Sequence, residues 1–261
     1  GTITSMVISS FYHKVTMPAL ITLPLFIIMG FLASGGGISH NIYRSLALWI
    51  GRFKSGLGIA TVLACTAFGT VCGSSLVTAA VFTKISAPEM RKQGYDKRLA
   101  YAICASSGSI GMLIPPSVLF IVFGIFSEES IGKLFIAGVI PGLILTSVYC
   151  IGIKVMIYFR PQLVGAPVIS EEEEHFTAIQ ILKDTWGVIS LILVVLGGMY
   201  AGFLTPTEAG AAGAIGSCIL AVVKGRFRIS SMHHALRETG LVTASFFTLF
   251  IGAQLFSRML A

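Results

Sequence analysis

The chain has 261 residues, of which 55% are hydrophobic and only 11% are charged, and its formal net charge is +7. Soluble domains carry about a quarter charged residues, so this composition excludes an ordinary soluble protein and indicates a membrane protein. The positive charge does not indicate a nucleic-acid-binding surface, because the basic residues lie in short loops between long apolar segments.

The first apolar segments predict one membrane crossing followed by a helix at the membrane surface. Residues 18–34 are predicted to span the bilayer, and residues 38–50 are predicted to form an interfacial helix. The chain begins at Gly1 within apolar sequence, so we expect it to be a piece of a longer polypeptide.

Two neighbouring segments, 55–83 and 99–127, each run 29 residues without a charge and are interrupted in the middle by glycine and hydroxyl residues. A break in a membrane helix leaves backbone groups unpaired, and it is tolerated only where it is buried in protein or lines a cavity. Paired breaks of this kind are typical of the binding site of a transporter. The first segment contains Gly73-Ser74-Ser75, and the second contains Ser107-Gly108-Ser109 and Pro115-Pro116-Ser117.

The distribution of basic residues predicts that the first of these segments turns back as a hairpin. With a hairpin at residues 55–86, fifteen Lys and Arg residues lie on one side and three on the other, namely Lys14, Lys133 and Arg258. With a single crossing the division would be thirteen against five, a weaker positive-inside signal. The second arm, residues 76–87, has only 12 residues and is short for a full crossing, which favours a re-entrant hairpin open to the cytoplasm.

The later segments predict further crossings. Residues 134–159, 185–204, 208–223 and 239–261 are apolar and long enough to span, or to contribute to spanning, a bilayer. The polar segment between the first two includes Glu171 to Glu174, and it is interpreted as a solvated connection between two halves, with a docking surface as the alternative. The chain is therefore predicted to be an all-α polytopic membrane protein.

The chemistry of the breaks favours a coupling ion other than the proton. No Asp, Glu, Lys or Arg lies well inside a predicted span before Arg258, whereas proton-coupled carriers usually use a buried titratable group. Backbone carbonyls and hydroxyls at helix breaks can hold sodium, and Thr78 is predicted to lie on the same helix face as Ser74 and Ser75. The alternative is structural: small residues permit close helix packing, and Pro115-Pro116 is an ordinary kink. A proline in the first turn of a half-helix would also aim its positive end at an anionic group.

Other chemistry-bearing residues have structural interpretations. The five cysteines show no CxxC spacing and the histidines form no cluster, so we expect no transition metal and no cofactor. Thr205-Pro206-Thr207-Glu208 has the pattern of a capping box at the start of a helix, so Glu208 is predicted to be structural.

Several strings in this order resemble the large membrane subunit (DctM-like) of tripartite ATP-independent periplasmic (TRAP) transporters. The resemblance extends over nearly the whole chain, and its strength comes from the set of motifs. They are Phe68-Gly69, Cys72-Gly73-Ser74-Ser75, Gly94-Tyr95-Asp96, the stretch from Gly108 to Ser117, Pro141-Gly142 and Thr205-Pro206-Thr207-Glu208-Ala209.

The resemblance implies sodium-coupled import of a small organic anion, a carboxylate, across the bacterial inner membrane. In that family a periplasmic binding protein delivers the substrate and a small membrane subunit (DctQ-like) braces the large one. The implied fold is an elevator-type transporter with inverted repeats, each pairing a re-entrant helical hairpin with a broken helix. No cofactor is implied beyond Na⁺ as the coupling ion.

The family's site residues carry over to the two breaks. The implied sodium-binding residues are Gly73, Ser74, Ser75, Ser107, Gly108, Ser109 and Gly111. The implied substrate-binding residues are Ser75, Thr78 and Ser109. Many family members carry serine where Cys72 stands and aspartate where Thr78 stands, so this chain resembles the branch with a Gly-Ser-Ser tip.

The expected organisation has four parts. Residues 1–54 are a scaffold helix and an interfacial helix, and 55–127 are the first half of a transport domain. Residues 128–238 are scaffold helices with the polar cytoplasmic linker 160–184, and 239–261 begin a second transport half whose hairpin lies beyond this chain.

Three other functions stay open. A sodium/dicarboxylate carrier of similar architecture would work without a binding protein. A passive channel would not concentrate its substrate. An intramembrane serine hydrolase using Ser74 or Ser109 would need a general base, and no His, Lys or carboxylate lies at a matching depth.

Overall fold

The structure is a computed structural model, and it describes residues 18–165, 178–225, 227 and 229–260. Within these ranges the chain forms helices with short 3₁₀ and π turns and no strand, which confirms the all-α class. Three stretches are long and apolar enough to cross a membrane: Lys97–Ser127, Ile131–Phe159 and Pro206–Val223. The described part of the chain is thus a multi-pass membrane protein.

The chain enters through a 3₁₀ turn, Pro18–Ile21, and two helices that meet at an angle. Helix α1 is Thr22–Gly35 and helix α2 is Ile38–Ile50, and the two are bent by 61°. Gly37 has a φ of 75°, a left-handed conformation that glycine adopts without steric cost. Helix α2 packs against α3 (Gly56–Cys72), and the interfacial position of α2 stays a prediction.

Helix α3 and helix α4 (Ser75–Lys92) form a hairpin with Gly73 and Ser74 at its tip. The arms lie side by side, because the rings of Phe68 and Phe82 meet edge to face with centroids 5.6 Å apart. The predicted end of the second arm at residue 87 is wrong, since α4 runs 18 residues to Lys92. Its last turn is polar, and Arg91 and Lys92 there complement the helix dipole.

Both ends of the hairpin lie at the same end of the molecule. The hydroxyl of Tyr95, just after α4, donates to the carbonyl oxygen of Lys54, just before α3, at 2.8 Å. The N–H of Gly58 donates to the same Tyr95 oxygen at 3.4 Å. The chain therefore turns back on itself here, as the distribution of basic residues predicts.

The next span is interrupted, as predicted. Helix α5 is Lys97–Gly108, capped by the Asp96 carboxylate, and it is followed by the short helix α6, Ile110–Leu113. Residues 114–117 leave helical geometry before α7, Val118–Ser127, completes the span. Helix α8, Ile131–Phe159, follows and packs against α3, α6 and α7.

The remaining helices begin earlier than their apolar runs. Helix α9, Ala178–Ile192, continues through a π turn, Leu193–Gly197, into Gly198–Tyr200. Helix α10 is Pro206–Val223, and helix α11, Ile229–Leu260, starts ten residues before the predicted crossing at 239. A helix can extend beyond its apolar run, so α9 and α11 are longer than the predicted crossings, while α10 begins where the capping box predicts. Glu171 to Glu174 lie outside the described residues.

Helices α1, α10 and α11 pack together, and α1 and α10 begin at the same end. The hydroxyls of Thr22 and Thr207 lie 2.7 Å apart there. The capping box at the start of α10 is confirmed: the Glu208 N–H donates to the Thr205 hydroxyl, and the Thr205 N–H donates to the Glu208 carboxylate. The division into four parts stays a prediction.

Candidate functional site

The two helix breaks meet at the tip of the hairpin. The N–H of Val118, the first residue of α7, donates to the carbonyl oxygen of Gly73 at 3.1 Å. Gly73 has a φ of 62°, and a Cβ there would lie 2.6 Å from the carbonyl oxygen of Pro116. Only glycine fits this position, because it supplies both the left-handed conformation and the space. The tip is thus docked into the break of the neighbouring span.

The tip reaches only part of the way along that span. Helix α7 continues for ten residues beyond the contact, which corresponds to about 15 Å of helix. The hairpin therefore ends while its neighbour continues, the geometry that a re-entrant hairpin requires. The backbone of each break therefore lies beside the backbone of the other.

Close packing explains the glycines on both sides of this interface. A Cβ at Gly69 would lie 2.7 Å from the Cα of Gly111, and one at Gly108 would lie 2.5 Å from the Cβ of Ala79. A Cβ at Gly111 would lie 2.7 Å from the hydroxyl oxygen of Thr78. Three glycines thus let the hairpin and the broken span approach closely, and the role of Gly108 and Gly111 in sodium binding stays a prediction.

The carbonyl oxygen of Ser74 lies at the centre of the predicted site. It accepts hydrogen bonds from the N–H of Thr78 at 3.1 Å and from the Thr78 hydroxyl at 2.8 Å. Thr78 is fully buried against Gly111, so its hydroxyl does not line open space in this structure. Ser75, beside it at the start of α4, is half-buried.

The two serines of the second break point in different directions. Ser107 is fully buried, and its hydroxyl has no hydrogen-bond partner among the described residues. Ser109 is exposed, donates to the carbonyl oxygen of Ser106 at 2.7 Å, and lies 3.3 Å from the hydroxyl of Tyr149 on α8. The two serines are only two residues apart in the sequence motif, yet one side chain is buried and the other is exposed.

The predicted role of the prolines at the start of the half-helix is wrong. Ser117 is the N-cap of α7, and its oxygen accepts from the N–H of Phe120 at 3.5 Å, while Pro116 precedes the cap. The Ser117 hydroxyl also donates to the carbonyl of Met112. Because Val118 donates to Gly73, the positive end of α7 meets a hairpin carbonyl rather than open space.

The chain matches the model of the family described as "Tripartite ATP-independent periplasmic transporter, DctM component" over residues 2–261. The chain belongs to this family. Proteins with similar sequences carry TRAP transporter names as well. The "C4-dicarboxylate TRAP transporter large permease protein DctM" of Pseudomonas aeruginosa is 34% identical, with 92% of this chain and 56% of the relative covered.

Two further relatives of this DctM-family chain differ in the compound that their names give. The "Ectoine TRAP transporter large permease protein TeaC" of Halomonas elongata is 33% identical, with 93% of this chain and 56% of the relative covered. The "Sialic acid TRAP transporter large permease protein SiaM" of Vibrio cholerae is 30% identical, again with 93% of this chain and 56% of the relative covered. The chain thus spans a little more than half the length of these relatives.

The candidate site at the two breaks offers neutral oxygens and no charged side chain among its described residues. Three residues that the sequence analysis did not assign to it contribute: the Pro116 carbonyl, the Ser117 hydroxyl and the Tyr149 hydroxyl. The serine that follows Pro115-Pro116 is a signal for an N-cap, whereas nothing in the sequence singles out Tyr149. The described residues contain no group of three or more His, Cys, Asp or Glu side chains that would hold a metal ion.

Proposed function

We propose that this chain is part of the large membrane subunit of a sodium-coupled importer of a small organic anion. A periplasmic binding protein delivers the anion, and a small membrane subunit braces the large one in the bacterial inner membrane. Membership of the DctM family supports this role. The named compounds of the relatives, C4-dicarboxylates and sialic acid among them, support a carboxylate as the substrate.

One observation supports the location of the transport site more than any other. The carbonyl oxygen of Gly73, at the hairpin tip, accepts the N–H of Val118 inside the neighbouring break. Irregular backbone at membrane depth is tolerated where it is buried in protein or lines a cavity. A docked pair of breaks therefore supports a binding site between them.

Neutral oxygens at the docked breaks favour a small hard cation over a proton. The proposed sodium ligands come from a set that includes residues on both breaks, namely Gly73, Ser74, Ser75, Ser107, Gly108, Ser109 and Gly111. The buried Ser107 hydroxyl supports this set, because a buried polar group without a partner costs about 1–3 kcal/mol and a cation would satisfy it. The Ser74 carbonyl, shared with Thr78, is a second candidate ligand.

The proposed substrate contacts are Ser75, Thr78 and Ser109. Ser75 and Ser109 are accessible in this structure, whereas Thr78 would contact the anion only after the hairpin shifts away from Gly111. An elevator movement of the hairpin and broken span against the other helices would provide such access to both sides.

The test uses the full-length protein, reconstituted in vesicles with its small membrane subunit and a substrate-loaded binding protein. We expect uptake against a concentration gradient only when an inward sodium gradient and the binding protein are both present. Accumulation without the binding protein would favour the sodium/dicarboxylate carrier. Equilibration without accumulation would favour a channel, and accumulation that is driven equally by potassium would contradict sodium coupling.

A further inference from the structure

We propose that the turn between α2 and α3 binds the phosphate group of an anionic phospholipid. The turn comprises residues 49–56, and we call it the α2–α3 corner. It lies at the basic end of the molecule, beside the root of the hairpin. The proposal goes beyond transport and does not rest on it, because it concerns a contact between the protein and the bilayer.

The backbone of the α2–α3 corner is fixed by hydrogen bonds. The N–H of Gly51 donates to the Ala47 carbonyl at 2.7 Å, that of Phe53 to the Ile50 carbonyl at 3.2 Å, and that of Gly56 to the Phe53 carbonyl at 2.8 Å. A Cβ at Gly51 would collide with the Ala47 oxygen, and one at Gly56 would collide with the Ile50 oxygen. Two glycines therefore allow a turn this tight.

The corner is also attached to the hairpin. The hydroxyl of Tyr95 donates to the Lys54 carbonyl at 2.8 Å, and the Tyr95 side chain is only 4% exposed. Burial raises the pKa of this phenol to about 12, so it stays a hydrogen-bond donor at physiological pH. Because the turn is held from both sides, its outward side chains are presented in a preorganised arrangement.

Those side chains combine two aromatic rings with two cations. Trp49 and Phe53 are each 62% exposed, and Arg52 and Lys54 between and beside them are exposed as well. Aromatic rings concentrate at the boundary between headgroups and acyl chains, while Lys and Arg attract anionic lipids.

The two cations have no acidic partner in the described part of the chain. No Asp or Glu precedes Glu89 in the sequence, and Glu89 is paired with Lys92 at 2.8 Å. The phosphate of a lipid headgroup is complementary in charge to this pair of cations. The neighbouring aromatic rings are suited to contact the apolar acyl chains of the same lipid. An anionic phospholipid fits both properties, whereas a soluble anion fits only the first.

The test measures lipid binding to the purified full-length protein by native mass spectrometry, with phosphatidylglycerol compared with phosphatidylcholine. In the double variant Arg52→Gln, Lys54→Gln we expect about fivefold weaker phosphatidylglycerol binding per cation removed, which corresponds to about 1 kcal/mol each. Phosphatidylcholine binding should stay unchanged. The control Lys84→Gln, Lys133→Gln removes two exposed cations outside the corner and should leave both lipids unaffected.

Three results would overturn the proposal: no change in the corner variant, an equal loss in the control, or equal binding of the two lipids to the wild type. A photo-reactive phenylalanine analogue in place of Phe53 identifies the occupant directly. An adduct with phospholipid supports the proposal, and an adduct with a polypeptide contradicts it. Because neither readout involves uptake, their failure is distinct from a failure of the transport function.

Discussion

At the scale of single residues, the buried hydroxyls separate structural from binding roles. Thr78 already donates to Ser74, and Ser109 donates to Ser106, so both hydroxyls are satisfied within the described chain. Ser107 lies beside the breaks without such a partner, and Ser86 on α4 is equally buried and equally unpaired. A comparison of substitutions at these two serines tests whether sodium binding depends on the position of a hydroxyl beside the breaks or on its burial alone.

We expect Ser107→Ala to weaken the apparent sodium affinity of uptake several-fold. The variant removes a ligand but also an unsatisfied polar group, so sodium-free thermal stability should stay equal or rise. The measurement is sodium-dependent uptake together with a melting temperature in detergent. Ser86→Ala, 12 residues from Ser74 along the hairpin, is the matched control and should leave the sodium dependence unchanged. Identical sodium curves for all three proteins would remove Ser107 from the site.

At the scale of helices, the interface between the hairpin and the broken span depends on glycines, because a residue without a side chain lets the two backbones come close together. Helix α3 is largely buried and packs against seven other described helices: α1, α2, α4, α5, α6, α8 and α9. It approaches α6 most closely where Gly69 faces Gly111. Because backbone meets backbone at that point, no side-chain rotation relieves an added methyl group.

We therefore expect Gly69→Ala to lower the free energy of unfolding by about 1–3 kcal/mol, the usual cost of overpacking a closely packed interior. Gly152→Ala on α8 is the control, because a Cβ there has nothing within 4 Å. That change should be neutral or slightly stabilising, since alanine has the higher helix propensity. Thermal unfolding of the detergent-solubilised protein compares the two, and equal melting temperatures would contradict the packing described here.

At the scale of the whole molecule, the arrangement of loops agrees with the predicted sidedness. The hydrogen bond from Tyr95 to Lys54 and that from the Asp96 N–H to the Leu163 carbonyl, at 2.8 Å, join three loops that the basic residues assign to one side. Thr22 and Thr207 join two starts of helices that are assigned to the other side. Each of these hydrogen bonds joins segments that are predicted to lie on the same side of the membrane.

This sidedness predicts the labelling of single cysteines in intact cells, in a background without the native cysteines. A cysteine in place of the exposed Ser130 should react with a membrane-impermeant maleimide, because its loop is assigned to the periplasm. A cysteine in place of the exposed Gln162 should react only after permeabilisation. Labelling of the Gln162 position from outside, with the Ser130 position protected until permeabilisation, would contradict the hairpin, since a single crossing at residues 55–83 would reverse the assignment of both loops.

The sequence by itself determined the membrane class, the two breaks and the capping box, because each depends on local composition and spacing, and the sidedness of the loops stays a prediction. Only the tertiary structure decided that Gly73 accepts from Val118, that Ser107 and Ser109 diverge, and that Tyr149 lies beside Ser109. Such contacts depend on how distant segments approach one another in three dimensions. The apolar runs also understate the lengths of α9 and α11, because hydropathy reflects where the chain is apolar, whereas backbone hydrogen bonding decides where a helix begins and ends.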